Sequence, residues 1–428
     1  MRAGPLLLLL LAGCYNPTFV PGQVACGPNR ACPPGLVCGP DDVCVLPDGG
    51  SEDLALSPPD LSQAPGAELS TPADLAPPPS PFLRVSGPRI VDGHGRPVRL
   101  TGVSWFGLES SAFAPQGLWA RSLSGLLGDV KGLGYNFVRL PWSNQLLEET
   151  SRPVGISREH NPDLADLTGL QLLDRIIAEA GRQGLRVMLT RYQASPAAGA
   201  TGLWYTPGYP EQRWIGDWVQ LAMRYRTNPT VVAFDLHNEP HQPATWGSGD
   251  PQTDWRLAAE RAGRAILAVH PELLIVVQGI DSAGGAGYWW GGNLRGVRSA
   301  PVRLPADRLV YGTNDYPSSV FNQSWFRDAN YPNNLPAVWD SMWGFVFQES
   351  DPARVAPVLI TGFGGRNESN SDKQWLTALG NYIMRHQLSF AYWCLNPDRF
   401  YGGILLSDWT RVSQRHGAIQ PLLAPPLP

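Results

Sequence analysis

The heptapeptide Asp235-Leu236-His237-Asn238-Glu239-Pro240-His241 carries the residue types in this chain best suited to chemistry. It follows the apolar run Val231-Val232-Ala233-Phe234, which reads as a buried strand. Asn238 and Glu239 then fall at the C-terminal end of that strand, and Pro240 stiffens the exit. A carboxylic acid beside a neutral amide at the mouth of a pocket suits acetal chemistry on a sugar. The acid protonates the leaving oxygen while the amide holds a neighbouring hydroxyl. The plain alternative is a strand-end glutamate satisfied within the fold.

Presenting such groups takes a scaffold. Short apolar runs at 99–106, 136–142, 186–192, 231–239, 274–279, 309–316, 357–364 and 389–396 read as strands. Helical patterns at 118–133, 170–183, 211–226, 255–269 and 373–386 fall between them. This alternation predicts an α/β fold, a (β/α)8 barrel. An open doubly wound sheet is the competing architecture, but no glycine-rich phosphate loop follows the first strand. Arg84-Val85-Ser86, Arg89-Ile90-Val91 and Pro97-Val98-Arg99-Leu100, separated by turn residues, predict a small β lid ahead of the barrel.

Barrel chemistry gathers at the C-terminal strand ends. The residues expected there are Glu109 after the first strand, Arg139 on the second, and Arg191 and Tyr192 on the third. Asn238 and Glu239 follow on the fourth, Gln278 on the fifth, Asn314 and Tyr316 on the sixth, Gly362 on the seventh and Trp393 on the eighth. Sixteen Trp and thirteen Tyr are the compositional outlier. Trp119, Trp204, Trp246, Trp289 and Trp290 stand beside Gly, Asn or Asp in loops, where aromatic faces could stack on sugar rings. A net charge of −4 with 16% charged residues offers neither a basic patch for nucleic acid nor an acidic tail.

Residues 1–13 form an export signal, with Arg2 ahead of the apolar Leu6–Leu11 run. Leu11-Ala12-Gly13-Cys14 resembles a bacterial lipobox, which makes Cys14 the lipidated first mature residue; cleavage without lipidation is the other option. The expected address is the outer membrane or cell surface. Residues 14–44 hold Cys26, Cys32, Cys38 and Cys44 at a spacing of six, a pattern expected to form two disulfides in one of three pairings. Residues 45–81 are a Pro/Ala/Ser-rich linker, and 82–428 are the barrel. Cys394, inside an apolar run, is expected as a buried thiol.

Six segments resemble glycoside hydrolase family 5, in particular its endo-β-1,4-glucanase (cellulase) branch. They are TGVSWFGLES (101–110), GYNFVRLPWSN (134–144), NPTVVAFDLHNEPH (228–241), YWWGGNL (288–294), LVYGTNDYP (309–317) and YWCLNPD (392–398). The resemblance implies a retaining mechanism with two glutamates and no cofactor, acting on β-glucan-type chains, in a monomer. It makes Glu239 the acid/base and Asn238 the amide on the sugar 2-hydroxyl. Arg139 becomes the cation beneath the nucleophile, Tyr316 the tyrosine beside it, and Trp393 the platform in the cleavage subsite. Tyr192, Asn314, Gln278 and Trp290 complete the substrate-binding set.

The seventh strand departs from this pattern. Family members read Gly-Glu-Phe-Gly there, whereas this chain has Thr361-Gly362-Phe363-Gly364, with Gly362 at the nucleophile's position. A retaining mechanism needs a second carboxylate about 5–5.5 Å from the first, and glycine offers none. The family's strand-three Asp-Arg-His is Thr190-Arg191-Tyr192, and neutral Asn314, Gln278 and Gln116 stand at positions that carry His or Glu in the family. The expectation is a β-glucan-binding barrel whose hydrolysis is impaired, a pseudoenzyme of glycosidase ancestry. The alternatives are an active endoglucanase using a relocated carboxylate (Glu109, Glu368 or an inverting water) and an adhesion or scaffold protein built on the cysteine-rich module.

Overall fold

The computed structural model describes residues 37–39, 44–45, 79–351 and 354–427. The export signal, Cys14 and nearly all of the cysteine-rich module and linker lie outside the described residues. The chain divides into two units, Met1–Ala76 and Pro77–Pro428. In the first, Val37–Cys38 and Cys44–Val45 pair antiparallel, and Cys38 is disulfide-bonded.

The second unit is built on eight parallel strands: β1 (Thr101–Ser104), β2 (Phe137–Ser143), β3 (Arg186–Gln193), β4 (Val231–Asp235), β5 (Leu274–Gln278), β6 (Leu309–Asp315), β7 (Val358–Phe363) and β8 (Ser389–Tyr392). Each pairs with the next, and β8 returns to β1 with Phe390 opposite Thr101, closing a (β/α)8 barrel. All eight fall where the sequence places them. The helices α1 (Leu123–Gly132), α2 (Gly169–Arg182), α3 (Glu211–Arg224) and α4 (Trp255–Val269) also match their predicted places. α1 begins later than expected because Ser122 caps it, accepting from Gly125 N. Between β6 and β7 the sequence predicts no helix, yet α5 (Leu335–Trp339), a π-helical turn (Asp340–Gly344) and α6 (Phe345–Gln348) stand there; α7 (Asn370–His386) matches the predicted 373–386, and α8 (Arg415–Ile419) follows unpredicted.

Side chains alternate along each barrel strand between the helix layer and the axis. On β2, Val138 and Leu140 join the outer core, whereas Phe137 joins the inner one and Arg139 reaches polar groups of β4. On β3, Val187 and Leu189 face outward, Met188 lies in the inner core, and Thr190 bonds Asp235. The axis therefore carries two layers. A lower apolar layer includes Phe137, Met188, Val276 and Leu359. Above it lies a buried polar layer of Arg139, Thr190, Asp235, Gln278 and Asn314.

The lower mouth is sealed by the expected lid, a three-stranded antiparallel sheet of Arg84–Ser86, Arg89–Val91 and Pro97–Val98. Val85 and Ile90 enter the inner core, each worth roughly 1.5–3 kcal/mol of burial. Val85 N donates to Asp307 O at 2.8 Å. Ser80 already hydrogen-bonds Glu272, so the chain joins the barrel slightly ahead of Phe82.

The tryptophan expectation needs correction. Trp105, Trp142, Trp204, Trp214, Trp218, Trp255, Trp339, Trp343 and Trp375 are fully buried. Trp204 turns inward against Trp214 and Trp255, and its indole N–H donates to Glu211 at 2.6 Å. Trp289 is also buried, which leaves Trp119 and Trp290 as the half-exposed members of the loop set. Most of the tryptophan is core. Cys394 is a buried free thiol, as expected.

Candidate active site

β4 ends at Asp235, and the chain runs on through His237 and Asn238 to Glu239 at the upper rim. Asp235 is the hub of the buried polar layer. It accepts from Arg139 Nη2 at 3.0 Å, from Thr190 Oγ1 at 3.1 Å and from Gln278 Nε2 at 2.8 Å. The same Arg139 nitrogen donates to Asn238 Oδ1 at 2.7 Å, which leaves the Asn238 NH2 as the group able to donate to a ligand. One arginine thus ties the strand to the amide beside the acid.

Glu239 has φ +54°, a left-handed conformation that strains a non-glycine residue and is tolerated where the surroundings enforce it. Its N–H donates to Gln278 Oε1 at 3.0 Å, and its peptide oxygen bonds the His241 ring at 2.6 Å. Asn314 Nδ2 reaches its carboxylate at 3.3 Å and Trp290 O at 3.0 Å. Burial pushes the Glu239 carboxyl up to about 7, with nearby Asp235 adding and Arg139 opposing. An acid poised there can protonate a leaving oxygen near neutral pH.

Across the recess, β7 bulges. Thr313 pairs with Ile360 but Asn314 pairs with Gly362, so Thr361 is displaced and bonds Thr313 O and Asn314 Oδ1 instead. The bulge aims position 362 into the recess. An ideal Cβ there lies 2.7 Å from the Tyr316 hydroxyl and 3.1 Å from Asn314 Oδ1. Tyr316 and Asn314 therefore stand against the glycine, where a side chain would start.

The remaining predicted residues assemble on the same rim. Trp393 lies nearly parallel to Phe106 at 5.6 Å and to Tyr192 at 5.8 Å, and is only 8% exposed. Trp290, about half exposed, stacks flat on His241 at 3.8 Å. Gln278 and Asn314, expected as direct ligand contacts, are 0% and 1% exposed. Both bond Glu239, Gln278 at its backbone N–H and Asn314 at its carboxylate, and so hold it from below.

The two candidate replacement carboxylates differ in setting. Glu109 is buried, accepts from Gly107 N at 2.8 Å and is likewise pushed up to about 7 by burial. Glu368 is exposed and pairs with Arg415 at 3.5 Å. Sequence reasoning missed Phe106 beside Trp393, and Tyr401, whose ring lies 5.4 Å from Tyr316. Both stand in loops, without a periodic signal.

A closed (β/α)8 barrel with a strained glutamate and an amide after β4, held by an arginine of β2, fits the class of barrel glycosidases. The chain belongs to glycosyl hydrolase family 5, whose cellulase model matches residues 91–399. It is 47% identical over 336 residues to an endoglucanase of Paenibacillus polymyxa, covering 77% of this chain and 83% of the relative. It is 40% identical over 355 residues to the major extracellular endoglucanase of Xanthomonas campestris pv. campestris, with 81% and 72% covered. Among solved structures, the catalytic domain of that Xanthomonas protein superposes with a TM-score of 0.75 at 39% identity, over 79% of this chain and 99% of that one. An endocellulase of Pyrococcus horikoshii in complex with cellotetraose gives 0.74 at 35% identity, over 80% and 98%.

Proposed function

We propose that this barrel binds β-1,4-glucan-type chains and hydrolyses them poorly. The observation that carries this reading is the asymmetry of the recess. Glu239, Asn238 and Arg139 form a complete acid side, while β7 offers Gly362 with the Tyr316 hydroxyl against it. The relatives named above are endoglucanases, and one related endocellulase is seen with cellotetraose, which supports the β-glucan ligand. Loss of a covalent nucleophile costs on the order of a million-fold in turnover in well-studied hydrolases. Glu368 is exposed and paired with Arg415, while Glu109 is buried near Arg139 and Tyr192 and remains the carboxylate to test as a relocated base. A lipid on Cys14 and the following linker would display a monomeric barrel at the outer membrane or cell surface.

The test is reducing-sugar release from carboxymethyl-cellulose, alongside calorimetry with cello-oligosaccharides and a Trp393→Ala control. We expect binding with little release. Release at ordinary family rates would overturn the impaired-hydrolysis reading, and no binding would overturn the ligand.

A further inference from the structure

The loops that follow β7 and β8 enclose an open cleft of about 690 Å³ on the upper rim. Four arginines line it, Arg366, Arg399, Arg411 and Arg415, against the two carboxylates Glu368 and Asp398. Arg411 pairs with Asp408, and Arg415 with Glu368 at 3.5 Å, whereas Arg366 and Arg399 meet no carboxylate among the described residues. Asp398 is turned into its own loop, where its Oδ1 accepts from Phe400 N at 2.7 Å and from Tyr401 N at 2.8 Å. The Arg366 guanidinium lies 5.5 Å from the centre of the Phe400 ring, and Phe400 is 43% exposed. The cleft therefore offers two guanidiniums without a carboxylate beside an exposed aromatic face.

We propose, on the basis of the β-glucan reading, that this cleft takes a carboxylate-bearing branch, of the uronic-acid class, on the glycan held at the rim. A planar guanidinium grips a carboxylate through two parallel N–H bonds, and an aromatic face stacks on a sugar ring. The same loop joins the cleft to the acid site. Phe400 packs edge-on against Tyr401 at 4.8 Å, and the Tyr401 ring lies 5.4 Å from Tyr316 and 6.4 Å from Trp393. A short branch leaving the glycan backbone at Trp393 therefore reaches the cleft. The loop is also held in shape, because Gly402 N and Gly403 N both donate to Asp398 O, at 3.1 and 2.8 Å. An unsubstituted cellulose chain has no acceptor of matching charge for these arginines. They set the preference for an acidic glycan, not the grip on its backbone.

The test measures binding of the full chain, by calorimetry, to carboxymethyl-cellulose, to neutral hydroxyethyl-cellulose and to cellotetraose. Poly-glutamate serves as a polyanion that is not a glycan. We expect carboxymethyl-cellulose to bind at least about tenfold more tightly than hydroxyethyl-cellulose, with the margin shrinking as salt rises. Poly-glutamate should bind more weakly than carboxymethyl-cellulose. An Arg366→Gln/Arg399→Gln double variant should lose the margin yet keep the parental Tm and cellotetraose affinity, because both side chains are exposed. Equal affinity for the two polymers, a margin that survives in the double variant, or poly-glutamate bound as tightly as carboxymethyl-cellulose overturns the acidic-branch proposal and leaves the β-glucan reading standing. No binding of cellotetraose or of either polymer overturns both.

Discussion

A Cβ on residue 362 would lie 2.7 Å from the Tyr316 hydroxyl and 3.1 Å from Asn314 Oδ1, so Gly362→Glu has to displace at least the phenol. We expect this variant to gain hydrolysis on carboxymethyl-cellulose by about a hundredfold, while remaining well short of the roughly million-fold worth of a nucleophile. Adding Tyr316→Phe removes the closest contact and should raise Tm above that of the single variant. Full activity from Gly362→Glu alone would show that the recess still fits a glutamate. Glu239 makes a separate prediction. Its carboxyl ionises near 7 in the fold, against an ordinary 4.5, chiefly because it is buried. Between those values the folded state holds the extra proton, so its contribution to stability is complete below about 4.5 and is lost as pH rises through 7. Glu239→Gln keeps the acceptor for Asn314 and never ionises. Its Tm should exceed that of the parent at pH 8, by up to about 3 kcal/mol of stability, and match it at pH 4. An equal difference at both pH values would contradict the burial argument.

Asp315, at the end of β6, shows how the elements share one anchor. It accepts from Trp339 Nε1 of α5 at 2.8 Å, from Trp375 Nε1 of α7 at 2.5 Å and from the hydroxyl of Tyr288, which lies just ahead of Trp289 and Trp290 in the loop after β5. Asp315→Ala strands three buried donors, at a cost of roughly 3–5 kcal/mol. Near-UV circular dichroism should change with Trp339, Trp343 and Trp375, and a normal thermal midpoint would refute the anchoring role. This network was not legible in the sequence. The strands were, because each is an apolar run ending in polar residues, and so were Glu239, Asn238 and Arg139. α5 and α6 escaped notice because prolines 332 and 336 and a π-helical turn break the helical period. The loop tryptophans misled for a related reason: beside Gly and Asn they look exposed, yet Trp204 and Trp289 turn into the core. Gln278 and Asn314 were found as site residues, but whether they touch a ligand or hold Glu239 depends on their depth in the pleat.

At the scale of the whole barrel, the apolar inner core and the proposed ligand rim lie at opposite ends of the strands. The lid closes the lower mouth through Val85 and Ile90, which share the inner core with Phe137, Met188 and Val276. The polar layer separates that core from Glu239 and Trp290 at the upper rim. Ile90 is 3% exposed, so Ile90→Ala leaves a cavity and should cost about 2–4 kcal/mol. Nothing in that change reaches the rim, and cello-oligosaccharide affinity below the lowered Tm should be unchanged. Trp290→Ala is the converse. The indole is about half exposed and stacks on His241 at 3.8 Å, so removing it takes away a sugar-sized aromatic face and little core. Affinity should fall by at least about tenfold, while Tm shifts little. Calorimetric Tm and binding isotherms on the two variants test the separation directly. A loss of affinity in Ile90→Ala would mean that the lower core sets the geometry of the rim through the polar layer, and that the two ends of this barrel are coupled.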